Sequence, residues 1–240
     1  MGSMLTMLDP ALPNQDFPPV DQALPDPNGL LAVGGDLSPA RLLKAYRHGI
    51  FPWYNEGEPI LWWSPDPRLV LFPEKIRVSR SLRKTLKQGK FQITFDKAFV
   101  DVIEGCAKPR GDEDNEGTWI TPEMKSAYVR LHRLGHAHSV ETWQDNQLVG
   151  GLYGVAIGRV FYGESMFYRR SNASKAAFVT LVEKLKSWHY GLIDCQVHTR
   201  HLTTLGAEVI PRRRFVTLLK TLCHQSPDPS AWRWQEAGGG

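Results

Sequence analysis

The sequence of 240 residues lacks long apolar runs and is poor in cysteine. No run approaches the roughly 18 to 20 apolar residues that cross a bilayer, and prolines and aspartates interrupt the first thirty residues where a secretory signal needs an apolar stretch. Cys106, Cys195 and Cys223 stand far apart, without a CxxC pair, which argues against a disulfide framework and a cysteine zinc site. The sequence therefore predicts a cytoplasmic protein.

Acidic residues are absent from one segment, although the chain contains 25 of them. Residues 75–90 carry seven lysines and arginines, while the whole chain has a net charge of only +4. After Ser79 this segment is predicted to be helical, with four cations at i, i+3, i+4 and i+7, and with Leu82 and Leu86 on the opposite side. These cations form either a solvated helix face or a contact with a phosphate backbone. We call them the basic stripe: Arg80, Arg83, Lys84 and Lys87.

The first quarter of the chain differs in composition from the rest. Residues 8–67 are rich in proline, glycine and tryptophan and contain one short helix signal, which begins at the capping residue Ser38. We therefore predict a small, loop-rich N-terminal domain over residues 1–66 and a second domain over residues 67–240.

The order of the later elements indicates an α+β fold. A predicted helix over residues 122–134 precedes strand-like segments over residues 139–167, which follow one another so closely that they must pair antiparallel. A long helix that Gly191 closes, a short strand over residues 192–199 and a last helix over residues 212–222 complete the order. This order is similar to that of the GCN5-related acyltransferase fold, with a mainly antiparallel sheet.

Two polar residues share one face of the short predicted strand, because alternate residues of a strand point the same way. Asp194 and Gln196 are either satisfied by the backbone at a strand end or form an acceptor pair in an acyl-transfer site. A nucleophilic Cys195 activated by His198 is the weaker alternative, because its thiol would point to the opposite face.

Other polar and aromatic residues also have two interpretations. Glu164, in YGESMF, is either a surface carboxylate or the receptor of a cationic group from a substrate. The tryptophans in loop-like segments either belong to the core or stack on a nucleobase. Histidines 132, 136 and 138 resemble a metal-ligand spacing, but Gly135 breaks the helix that would align them, so we expect no metal.

Several collinear motifs span residues 27–215: PNGLLAVGGDLSPARLLKAYRHGIFPWY (27–54), ILWWSPDPR (60–68), EGTWIT (116–121), LHRLGHAHSVE (131–141), LVGGLYGV (148–155), FYGESMF (161–167), NASK (172–175) and LIDCQV (192–197). Together they resemble the bacterial leucyl/phenylalanyl-tRNA–protein transferase family. The acidic loop GDEDNEG (111–117) looks longer than usual, and Thr204 stands where the family commonly has serine.

The resemblance implies an enzyme that moves Leu or Phe (also Met) from aminoacyl-tRNA to the α-amine of proteins with an N-terminal Arg or Lys, marking them for degradation. It implies a small N-terminal domain joined to a domain of the acyltransferase fold. No cofactor or metal is expected, because an aminoacyl ester is already activated and mainly needs an oriented, uncharged amine. No membrane partner is expected either, because the sequence has no apolar run long enough to cross a bilayer.

The resemblance also implies roles for single residues. Asp194 and Gln196 would orient the amine, with Asp194 polarising Gln196, and Glu164 would accept the Arg or Lys side chain of the acceptor. Trp53 and Trp119 would stack on the terminal adenosine, and the basic stripe would bind the acceptor stem through phosphates. The aminoacyl side chain would lie in an apolar pocket formed by Leu152, Phe161, Met166, Phe178 and Ile193.

Two other functions stay open. An acyl-CoA-dependent N-acyltransferase can use the same fold, but RRSNASK before the long helix only poorly imitates a glycine-rich pyrophosphate turn. A non-catalytic RNA-binding module explains the basic stripe but leaves Asp194, Gln196 and Glu164 without a role.

Overall fold

The computed structural model describes residues 5–12, 14–108, 119–197 and 199–233. Its strands are β1 (Thr6–Leu8), β2 (Leu30–Gly34), β3 (Phe51–Pro52), β4 (Leu61–Trp63), β5 (Arg68–Leu71), β6 (Gln92–Phe95), β7 (Ala137–Gln144), β8 (Gln147–Ile157), β9 (Val160–Tyr168), β10 (Leu192–Gln196) and β11 (Glu208–Ile210). Its helices are α1 (Pro39–Arg47), α2 (Arg80–Lys87), α3 (Phe99–Ala107), α4 (Pro122–Arg133), α5 (Ala173–Ser187), α6 (Arg200–Thr204) and α7 (Arg212–Leu222). The acidic loop at 111–117 and His198 lie outside the described residues.

Two sheets organise these elements. A four-stranded sheet has the order β1-β2-β4-β3, and a seven-stranded sheet has the order β11-β5-β10-β9-β8-β7-β6. In the large sheet only β9 and β10 pair parallel, and the other neighbours pair antiparallel. The predicted α+β class with a mainly antiparallel sheet is confirmed.

The two parallel strands, β9 and β10, stop pairing at one end. Their register runs from Leu192 opposite Val160 to Asp194 opposite Tyr162, but β9 continues to Tyr168. On its other side, β10 shifts register against β5 between Asp194 and Gln196, which is the signature of a β-bulge. Gln196 takes a left-handed backbone conformation there, with φ of 60°. The second half of β9 is therefore left unpaired by β10 and borders a cleft.

Helices cover both faces of the large sheet. Helix α5 packs on one face through apolar residues such as Phe178 and Val182. The opposite face belongs to a second cluster, which joins Trp62 of the small sheet to Tyr162 of β9 and Phe215 of α7. The predicted domain boundary at residue 66 lies between β4 and β5 and stays a prediction, although buried side chains from both sides share this cluster.

Local signals explain most helix ends. Ser38, Ser79 and Thr121 each accept a hydrogen bond from the backbone N–H three residues later, at the starts of α1, α2 and α4. The prediction that Gly191 closes α5 is wrong. The helix ends at Ser187, and His189 takes the left-handed conformation, with φ of 64°.

Gly191 lies close to α7, since a Cβ atom there would be 2.8 Å from Leu222 Cδ2 and would displace that side chain. Among the described residues, no helix combines the length and the apolar character that crossing a membrane requires.

Candidate active site

A cleft of about 890 Å³ lies where β9 and β10 diverge beside α5. It brings together Asp194, Gln196 and Glu164, the two selected tryptophans and all five residues predicted to form the apolar pocket. The basic stripe lies elsewhere, because none of its four residues borders the cleft. One opening of the sheet therefore joins polar groups to an apolar recess.

Glu164 occupies the centre of a hydrogen-bond network. Its Oε1 atom accepts a hydrogen bond from Gln196 Nε2 at 3.0 Å, and its Oε2 atom accepts one from the Tyr128 hydroxyl at 2.8 Å. The hydroxyl of Tyr46 is hydrogen-bonded to that of Tyr128. Helices α1 and α4 thus supply the two phenols that support a carboxylate on β9.

Burial raises the pKa of Glu164 from 4.5 to about 7. The negative charge of Asp194 raises it further, whereas hydrogen bonds from Tyr46 and Tyr128 and the charge of Arg68 lower it. The carboxyl group therefore changes charge near neutral pH. A cationic group entering the cleft would stabilise its ionised form.

Asp194 is fully buried and forms a bidentate ion pair with Arg68. The distances are 2.8 Å from Nε to Oδ1 and 2.6 Å from Nη2 to Oδ2. The guanidinium carbon lies 4.7 Å from the ring centroids of both Phe51 and Phe215. The pair fixes β10 to β5 in the interior of the protein.

Asp194 contacts Gln196 through the backbone and not through the side-chain amide. Its Oδ1 atom accepts a hydrogen bond from the Gln196 backbone N–H at 2.9 Å, which holds the bulged end of β10. The predicted polarisation of the Gln196 side chain by Asp194 therefore does not match this geometry. Asp194 positions Gln196, whose side chain instead contacts Glu164.

The orientation of the Gln196 amide follows from its partner. An ionised carboxylate only accepts hydrogen bonds, so the NH₂ group of Gln196 faces Glu164 and the amide oxygen is directed away from it. Both residues border the cleft. The amide oxygen can accept a hydrogen bond from an amine.

The apolar recess lies between the sheet and α5. Leu152 on β8 is opposite Met166 on β9, and Phe161 on β9 is opposite Ile193 on β10. Phe178 of α5 completes the predicted set. Three neighbouring strands and a helix thus form a recess suited to an apolar side chain that is unbranched at Cβ.

The two selected tryptophans border the same cleft. Trp53 is 49% exposed, and its ring packs edge-on against that of Trp63, with centroids 5.6 Å apart. The Trp63 Nε1–H group donates a hydrogen bond of 2.7 Å to the Trp53 carbonyl, which fixes this segment. Trp119 is half-buried. Trp53 in particular presents an exposed aromatic ring to a ligand.

The basic stripe is exposed along α2, while Leu82 packs inward. Although residues 75–90 contain no acidic residue other than those outside the basic run, Lys75 has a counter-charge in the fold, because its Nζ atom lies 2.7 Å from Glu208 Oε1. The segment before α2 is tied to the cleft wall, because Arg77 N–H donates to the Leu205 carbonyl directly after α6. The segment that leads into the stripe is therefore joined to the turn after α6, a helix that borders the cleft.

Two weaker candidates lack support from their surroundings. Burial raises the pKa of the Cys195 thiol far above its ordinary value, so the thiolate needed by a nucleophile is disfavoured. His132 stacks on Phe99 with centroids 4.2 Å apart, and His138 Nδ1 lies 2.7 Å from Asp96 Oδ2. Within the described ranges, no group of three His, Cys, Asp or Glu residues is placed to hold a metal ion.

The sequence did not single out Arg68, Tyr46 or Tyr128 as functional residues. Helical periodicity places both tyrosines on apolar faces, which predicts burial but not that their hydroxyls reach a carboxylate. An arginine in the strand segment RLVLF was an available signal, because a buried cation requires a partner.

Comparisons with known proteins point to the same family along most of the chain. The family model described as leucyl/phenylalanyl-tRNA protein transferase matches residues 70–220, and the model of that transferase's N-terminal domain matches residues 35–66. A leucyl/phenylalanyl-tRNA–protein transferase from Methylococcus capsulatus is 61% identical over 230 residues, covering 96% of this chain and 97% of the relative. One from Aromatoleum aromaticum is 60% identical over 222 residues, covering 92% of this chain and 93% of the relative.

Among solved structures, a GCN5-related N-acetyltransferase-like protein from Streptococcus suis is similar, with a TM-score of 0.35 and 15% identity over 72% of this chain and 65% of its own. The extended family match and the high identity to full-length relatives assign the sequence to one family. The chain belongs to the leucyl/phenylalanyl-tRNA–protein transferase family.

Proposed function

We propose that the protein transfers Leu or Phe (also Met) from aminoacyl-tRNA to the α-amine of proteins with an N-terminal Arg or Lys. The observation that carries this proposal is the hydrogen-bonded Glu164–Gln196 pair beside an apolar recess in one cleft. The names of relatives at about 60% identity support leucyl- or phenylalanyl-tRNA as the donor and a protein as the acceptor. By the same family membership, the reaction marks proteins for degradation and takes place in the cytoplasm.

The chemical step replaces an ester by an amide. The acceptor nitrogen attacks the ester carbonyl carbon, a C–N bond forms, and the bond from that carbon to the ribose oxygen of the tRNA breaks. The nitrogen loses a proton, and the departing oxygen gains one, directly or through water. An α-amine with an ordinary pKa of about 7.7 to 8 is largely protonated at neutral pH, so its loss of a proton precedes attack.

Each polar residue has a separate task in this proposal. The amide oxygen of Gln196 accepts an N–H of the acceptor amine and aims its lone pair at the carbonyl. Asp194 is a positioning residue, because it acts through the Gln196 backbone and Arg68. Ionised Glu164 receives the Arg or Lys side chain of the acceptor, which selects for a basic N-terminus.

The donor occupies the remaining surfaces. Its Leu or Phe side chain enters the apolar recess, where Met166 adapts to either shape. Trp53 and Trp119 stack on the terminal adenosine. The basic stripe contacts the acceptor stem through phosphates and reads no sequence.

The test is a transfer assay with purified protein, leucyl-tRNA and a peptide beginning with Arg, read by mass spectrometry. We expect a peptide extended by one leucine, and we expect Gln196→Ala to lower kcat/KM about a hundredfold with an unchanged Tm. Gln196 suits this test better than Asp194, because removing one partner of a buried ion pair costs about 3 to 5 kcal/mol of stability.

Two results would contradict the proposal. An unextended peptide with leucyl-tRNA but an acylated peptide with acetyl-CoA would identify an acyl-CoA-dependent enzyme. Binding of tRNA without turnover of either donor would identify a non-catalytic RNA-binding module.

A further inference from the structure

Trp232, near the C-terminal end of the chain, packs into an aromatic cluster behind the cleft. Its ring lies 5.7 Å from that of Phe161 with an interplanar angle of 25°, and 3.9 Å from the imidazole of His138 with an angle of 10°. Its Nε1–H group donates a hydrogen bond of 2.7 Å to the Tyr190 hydroxyl. Trp188 and Phe95 are further aromatic neighbours, with ring centroids 5.1 Å and 6.3 Å from that of Trp232.

The segment that carries Trp232 is itself attached to the domain. The backbone N–H of Asp228 donates to the Trp188 carbonyl at 3.0 Å. Arg159 Nε donates to the Ser226 carbonyl at 2.9 Å. One hydrogen bond from a backbone N–H and one from an arginine side chain therefore hold this segment, and the indole ring is placed by more than its own apolar contacts.

Phe161 connects Trp232 to the cleft. It is 1% exposed and borders the apolar recess. Its ring lies over Gly154 of β8, where a Cβ atom would come within 2.5 Å of Phe161 Cζ. The ring therefore packs on both a glycine backbone and the indole of Trp232. If either neighbour retreats, the wall of the recess can move.

We propose that Trp232 is a specificity-determining residue, which holds Phe161 in place and thereby sets the depth of the recess that receives the aminoacyl side chain. This inference rests on the proposed aminoacyl role of the recess. Phe is longer than Leu, so the position of one wall decides how well each side chain is packed. A residue that touches no substrate can then change the choice of amino acid.

The test compares kcat/KM for phenylalanyl-tRNA and leucyl-tRNA at a fixed concentration of a peptide beginning with Arg. Trp232→Phe replaces the indole by a smaller ring and lets Phe161 move away from the recess. We expect the Phe-to-Leu ratio to rise about tenfold, the lower end of what one methylene is worth in an apolar pocket. Tyr190→Phe loosens the indole by removing only its hydrogen-bond acceptor, and should move the ratio in the same direction.

Trp143→Phe is the matched control, because it makes the same substitution in the large sheet at an indole that donates to Thr94 Oγ1 and is not part of the cleft lining. Its ratio should stay at the wild-type value. A double-mutant cycle with Phe161→Leu adds a second criterion, since residues that act through one another are not additive. In the Phe161→Leu background, Trp232→Phe should change the ratio less than twofold.

The outcomes separate two kinds of failure. If Phe161→Leu shifts the ratio but Trp232→Phe and Tyr190→Phe do not, the role of Trp232 is overturned while the pocket assignment survives. Equal shifts in Trp232→Phe and Trp143→Phe would also overturn it, because general loosening of the sheet would then suffice. If Phe161→Leu itself leaves the ratio unchanged, the recess does not hold the aminoacyl side chain and the proposed site fails.

Discussion

At the scale of single residues, Glu164 combines two properties that ordinarily exclude each other. Burial favours its neutral form and raises its pKa to about 7, whereas Tyr128 and Gln196 donate hydrogen bonds that favour the anion. The carboxyl group is thus balanced between two charge states near neutral pH. The cationic side chain that we propose it selects would stabilise the ionised form and balance its negative charge.

Glu164→Gln tests this balance. The variant keeps the shape and one acceptor oxygen but has no charge, and the loss of a charge-assisted hydrogen bond is worth roughly 1.5 to 3 kcal/mol. The ratio of kcat/KM for peptides beginning with Arg and with Ala should therefore fall by about ten- to a hundredfold. The measurement uses both peptides at one concentration of leucyl-tRNA.

The pH profile gives a second readout. Glu164 gains its charge as the pH rises through its pKa of about 7, so the wild-type Arg-to-Ala ratio should increase through that pH and then level off. The variant should show a flat ratio, because the amine of the acceptor titrates equally in both peptides. Glu183→Gln, on the exposed side of α5, is the control. A wild-type ratio in Glu164→Gln would assign acceptor choice to another carboxylate.

Sequence reasoning selected Glu164, Asp194 and Gln196, but it could not find what holds them. Arg68 lies 126 positions before Asp194, and Tyr128 lies 36 before Glu164. Periodicity describes one element at a time, so contacts between distant elements leave no local pattern. The bulge at Gln196 is equally hidden, because it depends on the register of β10 against β5.

At the scale of elements, the best predictions are those with complete local signals. Helix α7 has the predicted bounds, and α4 follows its capping Thr121 as predicted. Helix α3 was missed, since Ala98 provides no capping side chain. A buried carboxylate on β7 instead fixes the turn that leads into α3, because Glu141 accepts hydrogen bonds from the backbone N–H groups of Lys97 and Ala98, just before the helix. A contact supplied from another element cannot be read from neighbouring residues.

Helix α2 is the element whose function is easiest to test by charge. Replacing the four residues of the basic stripe by alanine should weaken tRNA binding. It should also reduce the slope of log affinity against log salt concentration, by up to roughly 0.7 to 0.9 for each phosphate contact that is lost. The measurement is a salt titration of binding affinity. Tm should hardly change, because the four side chains are exposed.

The control for the basic stripe preserves charge. Arg80→Lys with Arg83→Lys keeps four cations on α2 and should retain the wild-type salt slope. An alanine variant with an unaltered slope would mean that the helix face is only solvated.

At the scale of the whole molecule, one apolar cluster connects the two predicted domains. Phe215 of α7 is fully buried, and a Cβ atom on Gly49, just after α1, would lie 2.9 Å from its ring. The same ring lies against the guanidinium group of Arg68. Because residues from both sides of position 66 pack on one side chain, we expect the chain to unfold as one unit.

Phe215→Ala tests this expectation by differential scanning calorimetry. Truncation of a buried phenylalanine costs about 3 to 5 kcal/mol, so the single wild-type transition should move to lower temperature without splitting. Intrinsic tryptophan fluorescence should follow the same curve, since Trp62 and Trp63 report on the small sheet. Two separate transitions in the wild type would instead establish independent domains at the predicted boundary.

The contact between Tyr46 and Tyr128 has a practical consequence for protein engineering. Tyr46 belongs to α1, outside the predicted catalytic domain, yet its hydroxyl supports the phenol that holds Glu164. A minimal peptide-labelling tool obtained by trimming the chain to its larger domain would lose that support. The shorter reagent would also lose Phe51, Pro52 and Trp53 from the cleft wall, together with half of the apolar cluster that both predicted domains share, so a compact version has to retain α1 and the small sheet.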